Sequence, residues 1–305
     1  KDGVRIVNCA RGGLINEDDL KTAILSGKVA GAALDVYRIE PATANPLFGL
    51  EQVVCTPHLG ASTAEAQENQ ALQVAEQMSD FLLSGVVANA LNTAAVSVED
   101  APKLKPYMKL AEQLGGFAGQ LTENAIQSVE IEYQGHVAAL NTKPLTAIVL
   151  ASLLRPMMES VNMVNAPLVA KARGIAVSEV TSERAGDYNT LVRVTVVTEQ
   201  RARTVAGTLF GGDKPRVVEI KGIPIEAELG SHMLYVTNQD KPGFIGALGS
   251  LLGARGVNIA TFHLGRAEAG GDAILLTQVD QPLTHAILEE VRGLPHVVQA
   301  KSLSF

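Results

Sequence analysis

Four side chains near the start of the sequence could carry acid–base and anion-binding chemistry: Arg11, Asp35, Glu40 and His58. An arginine offers two parallel N–H donors to a carboxylate. A histidine can take up a proton near neutral pH, and a neighbouring glutamate can orient the ring and stabilise its charged form. Arg11, Glu40 and His58 together suit removal of a hydroxyl proton from a 2-hydroxy acid while a hydride leaves the same carbon.

Each of these side chains also has a purely structural interpretation. Arg11 could be a surface ion-pair partner, and Asp35 could cap a turn. Glu40, which precedes a proline, could be an ordinary loop charge. His58 could be a loop histidine with satisfied hydrogen bonds. The functional interpretation therefore depends on whether the fold brings the four residues together.

Short apolar segments precede all four residues. Residues 4–7, 29–36 and 52–55 are predicted to be strands, and a helix is predicted between Asn16 as N-cap and Gly27. Short buried strands that alternate with a helix indicate a parallel sheet covered by helices. Ligands bind such sheets at the carboxyl ends of the strands. The four residues follow strands and are predicted to converge there.

The motifs NCARGGLINEDDL, AGAALDVYRIEP and TPHLGAST occur in this order within residues 1–94. This part of the chain resembles the D-isomer-specific 2-hydroxyacid dehydrogenases. The resemblance implies an NAD cofactor, a substrate carboxylate bound by Arg11, and a general base, His58, paired with Glu40. It also implies cofactor contacts from Cys9, Ala10, Arg11, Asp35, His58 and Gly60.

The glycine-rich phosphate-binding loop that precedes these motifs in that family is not found. Nowhere in the chain are two glycines separated by a single residue. The sequence also begins at Lys1 without a methionine. We therefore expect the C-terminal half of a Rossmann-type dinucleotide-binding domain, cut from a longer protein, which alone would bind NAD poorly and be inactive. Residues 62–83 are predicted to be a helix, with one apolar face, capped by Ser62 or Thr63.

A composition change near residue 100 indicates a second domain, 100–229, with α/β character. Its position and length resemble the intervening domain of the long phosphoglycerate dehydrogenases. A basic cluster in it, Lys214, Arg216 and Lys221, could bind an anion or form a solvated face. The predicted helices are 104–121 and 144–164, the latter divided at Pro156, and the predicted strands are 129–133, 191–197, 202–209 and 216–220.

Residues 231–305 have the pattern strand, helix, strand, strand, helix, strand, which predicts a ferredoxin-like βαββαβ unit. Pro242 is predicted in the first turn of its first helix. The motifs NQDKPG at 238–243 and GVNI at 256–259 resemble the ACT regulatory domain. The resemblance implies an amino-acid effector bound by Asn238, Asp240 and Asn258. Asp240 could meet an ammonium group and the amides a carboxylate or hydroxyl; alternatively, these residues only organise turns.

The composition limits the classes of partner. The chain has 305 residues, a net charge of −7 and 2 cysteines. A mildly acidic chain makes broad electrostatic binding to nucleic acid unexpected, and no apolar segment is long enough for a membrane span. We expect a cytoplasmic protein with no disulfide framework and no metal site.

The three parts together, α/β followed by α+β, resemble the long phosphoglycerate dehydrogenases. That resemblance implies oxidation of 3-phosphoglycerate to 3-phosphohydroxypyruvate with NAD, L-serine as effector and a homo-oligomer. Two alternatives stay open. One is another 2-hydroxyacid dehydrogenase, acting on glyoxylate or hydroxypyruvate; the other is a non-catalytic, amino-acid-binding regulatory module.

Overall fold

The computed structural model describes residues 1–84, 87–92, 96, 99–184 and 186–305. The chain forms two compact units, Lys1–Ser79 and Asp80–Phe305. The first unit contains a parallel sheet in the order β1-β2-β3, which confirms the predicted sheet type. Its elements are β1 (Val4–Asn8), α1 (Glu17–Leu25), β2 (Val29–Leu34), β3 (Val53–Cys55) and the start of α2 (Ala64–Ser84).

Both helices begin at predicted caps. The Asn16 side chain accepts hydrogen bonds from the amides of Asp18 and Asp19, which otherwise have no partner in the first turn of α1. At the start of α2, the Thr63 hydroxyl accepts a hydrogen bond from the Ala66 amide at 3.1 Å. The apolar face predicted for α2 is largely exposed to solvent; Phe81, for example, is 49% exposed.

The second unit contains a six-stranded sheet in the order β5-β4-β6-β7-β8-β9. We call the part from α3 to β9 the middle domain. The pair β4–β5 is parallel and the other pairs are antiparallel. Its elements are α3 (Ala101–Leu121), β4 (Ile126–Gly135), α4 (Lys143–Leu154), α5 (Ala166–Ala172), β5 (Ala176–Ser182), β6 (Thr190–Thr198), β7 (Ala202–Phe210), β8 (Lys214–Ile220) and β9 (Ile223–Ala227).

Three features of the middle domain bear on the sequence predictions. Helix α4 ends at Leu154, and Pro156 lies in a short 3₁₀ turn, so the predicted division at this proline is confirmed. Strands β5 and β9 were not predicted. Strand β5 is an exposed edge strand without an apolar alternation. Strand β9 follows a two-residue turn in which Lys221 and Gly222 both have positive φ angles of 52° and 76°, as in tight β-hairpins.

Helices α3 and α4 cross closely at two glycines four residues apart. A Cβ atom on Gly115 would lie 2.4 Å from the Val149 carbonyl oxygen. A Cβ atom on Gly119 would lie 2.3 Å from the Leu153 carbonyl oxygen. These distances are shorter than van der Waals contact, so the backbone packing of this core requires glycine at both positions.

The C-terminal domain, from β10 to β13, has the antiparallel order β11-β12-β10-β13. This strand order, with one helix after β10 and another after β12, confirms the ferredoxin-like fold. Pro242 is not in the first helix as predicted. The helix begins at Phe244, and its N-cap residue Gly243 has a left-handed φ of 96°. This conformation prevents the helix from extending back to Pro242. The elements are β10 (Met233–Gln239), α6 (Phe244–Ala254), β11 (Ile259–Arg266), β12 (Asp272–Val279), α7 (His285–Arg292) and β13 (Val297–Leu303).

The sheet of the C-terminal domain is covered on both faces. Leu234 and Val236 share a buried cluster with residues of its own helices. Tyr235, on the opposite face of β10, belongs to the core of the middle domain and meets Phe117 of α3 edge to face, with 5.8 Å between ring centroids. The amide of Gln120 exchanges two hydrogen bonds with the backbone of Ser304, both 2.9 Å. We call this contact region the α3–β10 interface; it joins the two domains through one continuous core.

Candidate active site

The three loops that follow β1, β2 and β3 meet at the carboxyl edge of the parallel sheet. The Asp35 amide donates to the Asn8 carbonyl at 3.0 Å, and the Thr56 amide donates to the Leu34 carbonyl at 3.0 Å. These bonds continue the parallel pairing one residue past each strand. The residues that follow them, including Arg11, Glu40 and His58, therefore start from fixed, neighbouring backbone positions.

Asn8 shapes the loop that carries Arg11, a role that was not predicted. Its buried side chain accepts a hydrogen bond from the Ala10 amide and donates one to the Arg11 carbonyl, both at 3.1 Å. The Arg11 guanidinium is exposed and donates to the Ala10 carbonyl at 2.7 Å. Within the described residues it forms no ion pair, which leaves its charge available to a ligand. Cys9 in the same loop is also exposed.

Tyr37 and Gly12 hold the first and second loops against each other. A Cβ atom on Gly12 would lie 1.7 Å from the Tyr37 carbonyl oxygen, so only glycine allows this approach. The buried Tyr37 hydroxyl lies 3.0 Å from the carbonyl oxygens of Leu34 and Thr56. Burial raises the pKa of Tyr37, so the hydroxyl remains a neutral donor. Neither residue was singled out from the sequence, because Gly12 contacts backbone of the second loop and Tyr37 contacts backbone of the loop after β3.

Asp35 holds the loop that carries His58. One carboxylate oxygen, Oδ1, accepts from the Thr56 hydroxyl at 2.6 Å and from the Leu59 amide at 2.7 Å. The other, Oδ2, accepts from the Gly60 amide at 2.9 Å. The Thr56 hydroxyl first, and then the Leu59 amide, lower the pKa of Asp35. These bonds clamp the residues on both sides of His58, which itself has a left-handed φ of 58°.

Glu40 and His58 form a dyad. The Nδ1 atom of His58 lies 2.7 Å from Oε2 of Glu40. The other carboxylate oxygen, Oε1, accepts from the Tyr37 amide at 2.8 Å. The hydrogen bond with His58, and then that from the Tyr37 amide, hold the pKa of Glu40 below its usual range. A carboxylate at Nδ1 favours the tautomer with hydrogen on Nδ1, and Nε2 is then a free base. The carboxyl edge of the sheet thus combines a free base, Nε2 of His58, with the unpaired guanidinium of Arg11.

The three effector-site candidates of the C-terminal domain lie at strand ends as expected, and each has partners within the chain. Asn238 is buried; its amide donates to the Gln239 carbonyl, while Oδ1 has no partner among the described groups. Asp240 accepts from Arg266 at 2.9 Å and from the Gly270 amide at 3.2 Å, and these bonds lower its pKa. Asn258 donates to Asp280 at 2.8 Å.

The basic residues Lys214, Arg216 and Lys221 do not act as one cluster within the described part of the chain. Arg216 pairs with Glu228 at 3.0 Å. Lys221 instead lies in the β8–β9 turn, with Nζ 5.9 Å from the centre of the Tyr235 ring. Lys214 is exposed at the start of β8, which favours its interpretation as part of a solvated face.

Comparison with known families agrees with this architecture in all three segments. Residues 1–60 match the D-isomer specific 2-hydroxyacid dehydrogenase, NAD binding domain. Residues 103–221 match the D-3-phosphoglycerate dehydrogenase intervening domain, and residues 232–296 match the ACT domain. The chain is 41% identical over 302 residues to the D-3-phosphoglycerate dehydrogenase of Bacillus subtilis (strain 168), covering 99% of this chain and 58% of that protein.

The chain is thus similar over nearly its whole length to D-3-phosphoglycerate dehydrogenases, and its three segments match the domain families named above. It is also 39% identical over 293 residues to the D-3-phosphoglycerate dehydrogenase of Synechocystis sp., covering 95% of this chain and 53% of that protein. The chain thus spans a little over half the length of these relatives. The predicted resemblance and the predicted fold class are confirmed, and we now call the two domains of the second unit the intervening and ACT domains.

Among solved structures, a glyoxylate reductase from Paecilomyes thermophila is 41% identical over 29% of this chain and 27% of that chain, with a TM-score of 0.26. In the part of the chain that the structure describes, no helix is long and apolar enough to cross a membrane.

Proposed function

We propose that this chain carries catalytic and regulatory parts of an NAD-dependent D-3-phosphoglycerate dehydrogenase, which oxidises 3-phosphoglycerate to 3-phosphohydroxypyruvate in L-serine biosynthesis. The observation that carries the proposal is the His58–Glu40 dyad, with 2.7 Å between Nδ1 and Oε2, at the same sheet edge as the unpaired Arg11. The names of the relatives support the choice of substrate. Because the chain spans only part of those relatives, the activity belongs to the longer protein.

The proposed roles follow from the side-chain groups that are available to a ligand. Arg11 binds the carboxylate of the 2-hydroxy acid through its guanidinium, because two N–H donors match two carboxylate oxygens. His58 takes the hydroxyl proton at Nε2, since Glu40 occupies Nδ1. The positive charge that develops on the ring is stabilised by the Glu40 carboxylate. Asp35 and Asn8 position the two loops by the hydrogen bonds described above.

The residues at this edge fit the nicotinamide end of the cofactor. NAD supplies the hydride acceptor when it is bound. Oδ2 of Asp35 accepts one described hydrogen bond, from Gly60, and a carboxylate oxygen can accept more than one, so it retains capacity for an amide N–H. The exposed loop of Cys9, Ala10 and Arg11 would lie beside the ring.

We further propose that the ACT domain binds L-serine through Asn238, Asp240 and Asn258, in a cytoplasmic homo-oligomer. The unpartnered Oδ1 of Asn238 supports an effector site, because a buried polar atom favours a partner. Serine binding and cofactor or substrate binding would then be coupled reciprocally. Isothermal titration of L-serine into the wild-type chain and Asn238→Leu tests this; equal affinity for both contradicts it.

His58→Ala in the protein that joins this segment to a complete dinucleotide-binding domain tests the catalytic role. Loss of a general base lowers kcat by about 10²–10⁴-fold, with NAD affinity nearly unchanged. His285→Ala is the matched control, because His285 is 84% exposed on α7 of the ACT domain. Unchanged turnover of His58→Ala would overturn the assignment, and a substrate panel with glyoxylate and hydroxypyruvate separates the alternative dehydrogenases.

A further inference from the structure

A set of positively charged side chains lies at the α3–β10 interface without acidic partners in contact. Arg203 of β7 is only 8% exposed, although its guanidinium is charged. Its Nη1 donates to the Leu121 carbonyl, and its buried Nη2 has no partner among the described groups. No carboxylate of the described residues lies within ion-pair distance of Arg203 or Lys221. A buried charge without a counter-charge is strongly unfavourable in a protein interior.

The ACT domain adds a second unsatisfied group. Tyr235 is fully buried, and its hydroxyl has no described partner. Lys221 lies over its ring. Burial, followed by the charges of Arg203 and Arg201, lowers the pKa of Lys221, so the cations of this region disfavour one another. Two carboxylates act on these cations only over a distance: Glu123, which forms an ion pair with Lys301, acts on Arg203, and Asp272 acts on Lys221.

A small cavity in the intervening domain adjoins Arg203 and Lys221. It has a volume of about 10 Å³ and is lined by Arg203, Thr204 and Lys221 on one side and by apolar residues such as Phe117 and Ile220 on the other. That volume corresponds to about one water-sized particle. A phosphate or an organic anion would not fit in that volume.

We propose that the α3–β10 interface binds a single small anion of the halide class, which neutralises Arg203 and Lys221 and accepts a hydrogen bond from the Tyr235 hydroxyl. A water molecule could satisfy the hydrogen bonds but not the charge. The ion would touch β7 and the β8–β9 turn of the intervening domain and β10 of the ACT domain. It would therefore stabilise the association of these two domains, independently of the proposed catalysis and of the amino-acid effector.

Thermal unfolding of the 305-residue chain in sodium bromide, sodium chloride or sodium gluconate at equal ionic strength tests the proposal. At about ten times its Kd, a bound halide raises the folded-to-unfolded ratio about elevenfold, which shifts Tm upward by about 3–6 °C relative to gluconate. The shift should disappear in Arg203→Met. Arg255→Met is the control, because Arg255 is 51% exposed and paired with Glu290; it should keep the shift.

If Arg203→Met does not fold, Lys221→Met decides, since Lys221 lies in a surface turn and should lose most of the halide shift without unfolding. Crystals grown with bromide provide the direct measurement: an anomalous peak within hydrogen-bond distance of Arg203 Nη2 supports the site. Equal Tm values in the three salts, or a halide shift that both variants retain, would overturn it. A water molecule at that position without anomalous signal would do the same.

Discussion

The substitution Glu40→Gln tests how the sheet edge sets the tautomer of the histidine. Oε1 of Glu40 accepts from the Tyr37 amide at 2.8 Å, and Oε2 faces His58 Nδ1 at 2.7 Å. In Glu40→Gln, only the amide oxygen can accept from the Tyr37 N–H. The side-chain NH2 group must then face Nδ1. The histidine would become an acceptor at Nδ1 and carry its hydrogen on Nε2, where it cannot act as a base.

The size of the effect follows from the alternative orientation. Rotating the amide to restore an acceptor at Nδ1 would place NH2 against the Tyr37 N–H and leave that donor unpaired, at a cost of about 1–3 kcal/mol. Since 1.4 kcal/mol is about tenfold, the productive arrangement becomes about 5–150-fold rarer. We expect kcat/KM of the longer, active protein to fall by at least this factor, because the charged ring also loses its carboxylate partner.

Two measurements check the reasoning. The ¹⁵N chemical shifts of His58 in the isolated chain, at a pH where imidazole is neutral, should report hydrogen on Nδ1 in the wild type and on Nε2 in Glu40→Gln. Steady-state kinetics of the longer protein give kcat/KM, with the exposed Glu65→Gln in α2 as matched control. Hydrogen retained on Nδ1 in Glu40→Gln, or a kcat/KM within about twofold of wild type, would refute the argument.

Two further predictions concern stability. In the intervening domain, Tyr133→Phe leaves the Thr146 hydroxyl, 2.8 Å from the buried Tyr133 hydroxyl, without its partner; we expect a loss of about 1–3 kcal/mol in urea unfolding, partly regained in Tyr133→Phe/Thr146→Val, and a loss below about 0.5 kcal/mol would contradict it. At the sheet edge, the lowered pKa of Asp35 means that its ionised form stabilises the fold above the ordinary aspartate pKa of about 3.9, and that this contribution is lost as the pH falls through the lower folded value. Asp35→Asn should therefore have a lower urea midpoint at neutral pH and a flatter decline on acidification, and parallel midpoint curves for the two proteins would exclude this role.

The sequence predicted the site residues that follow strands, because apolar segments of strand length end just before them. The same logic located the Asn16 cap and the order of elements in the ACT domain. It missed Tyr37 and Gly12, because both contact backbone groups of other loops, and it missed Asn8, whose hydrogen bonds to Ala10 and Arg11 depend on the path of its own loop. Such contacts depend on the register of neighbouring strands, which local spacing does not contain.

For Asp35 the sequence indicated a polar residue at a strand end, and only the structure gave its three hydrogen bonds to the His58 loop. Pro242 was assigned to a helix from its residue type alone. The left-handed Gly243 that excludes it is a local conformation, but one that a glycine permits rather than requires.

By itself, the sequence determined the three segments, the strand and helix order within them, and the residues able to bind a carboxylate and accept a proton, because these depend on periodicity and chemical type. Tertiary structure decided which polar atoms are left without partners. Arg203 appears from the sequence as one more charge at a strand start, and only the folded chain buries it, with Nη1 on the Leu121 carbonyl at the end of α3. Burial and pairing are properties of contacts between segments far apart in the chain, and only the folded chain brings those segments together.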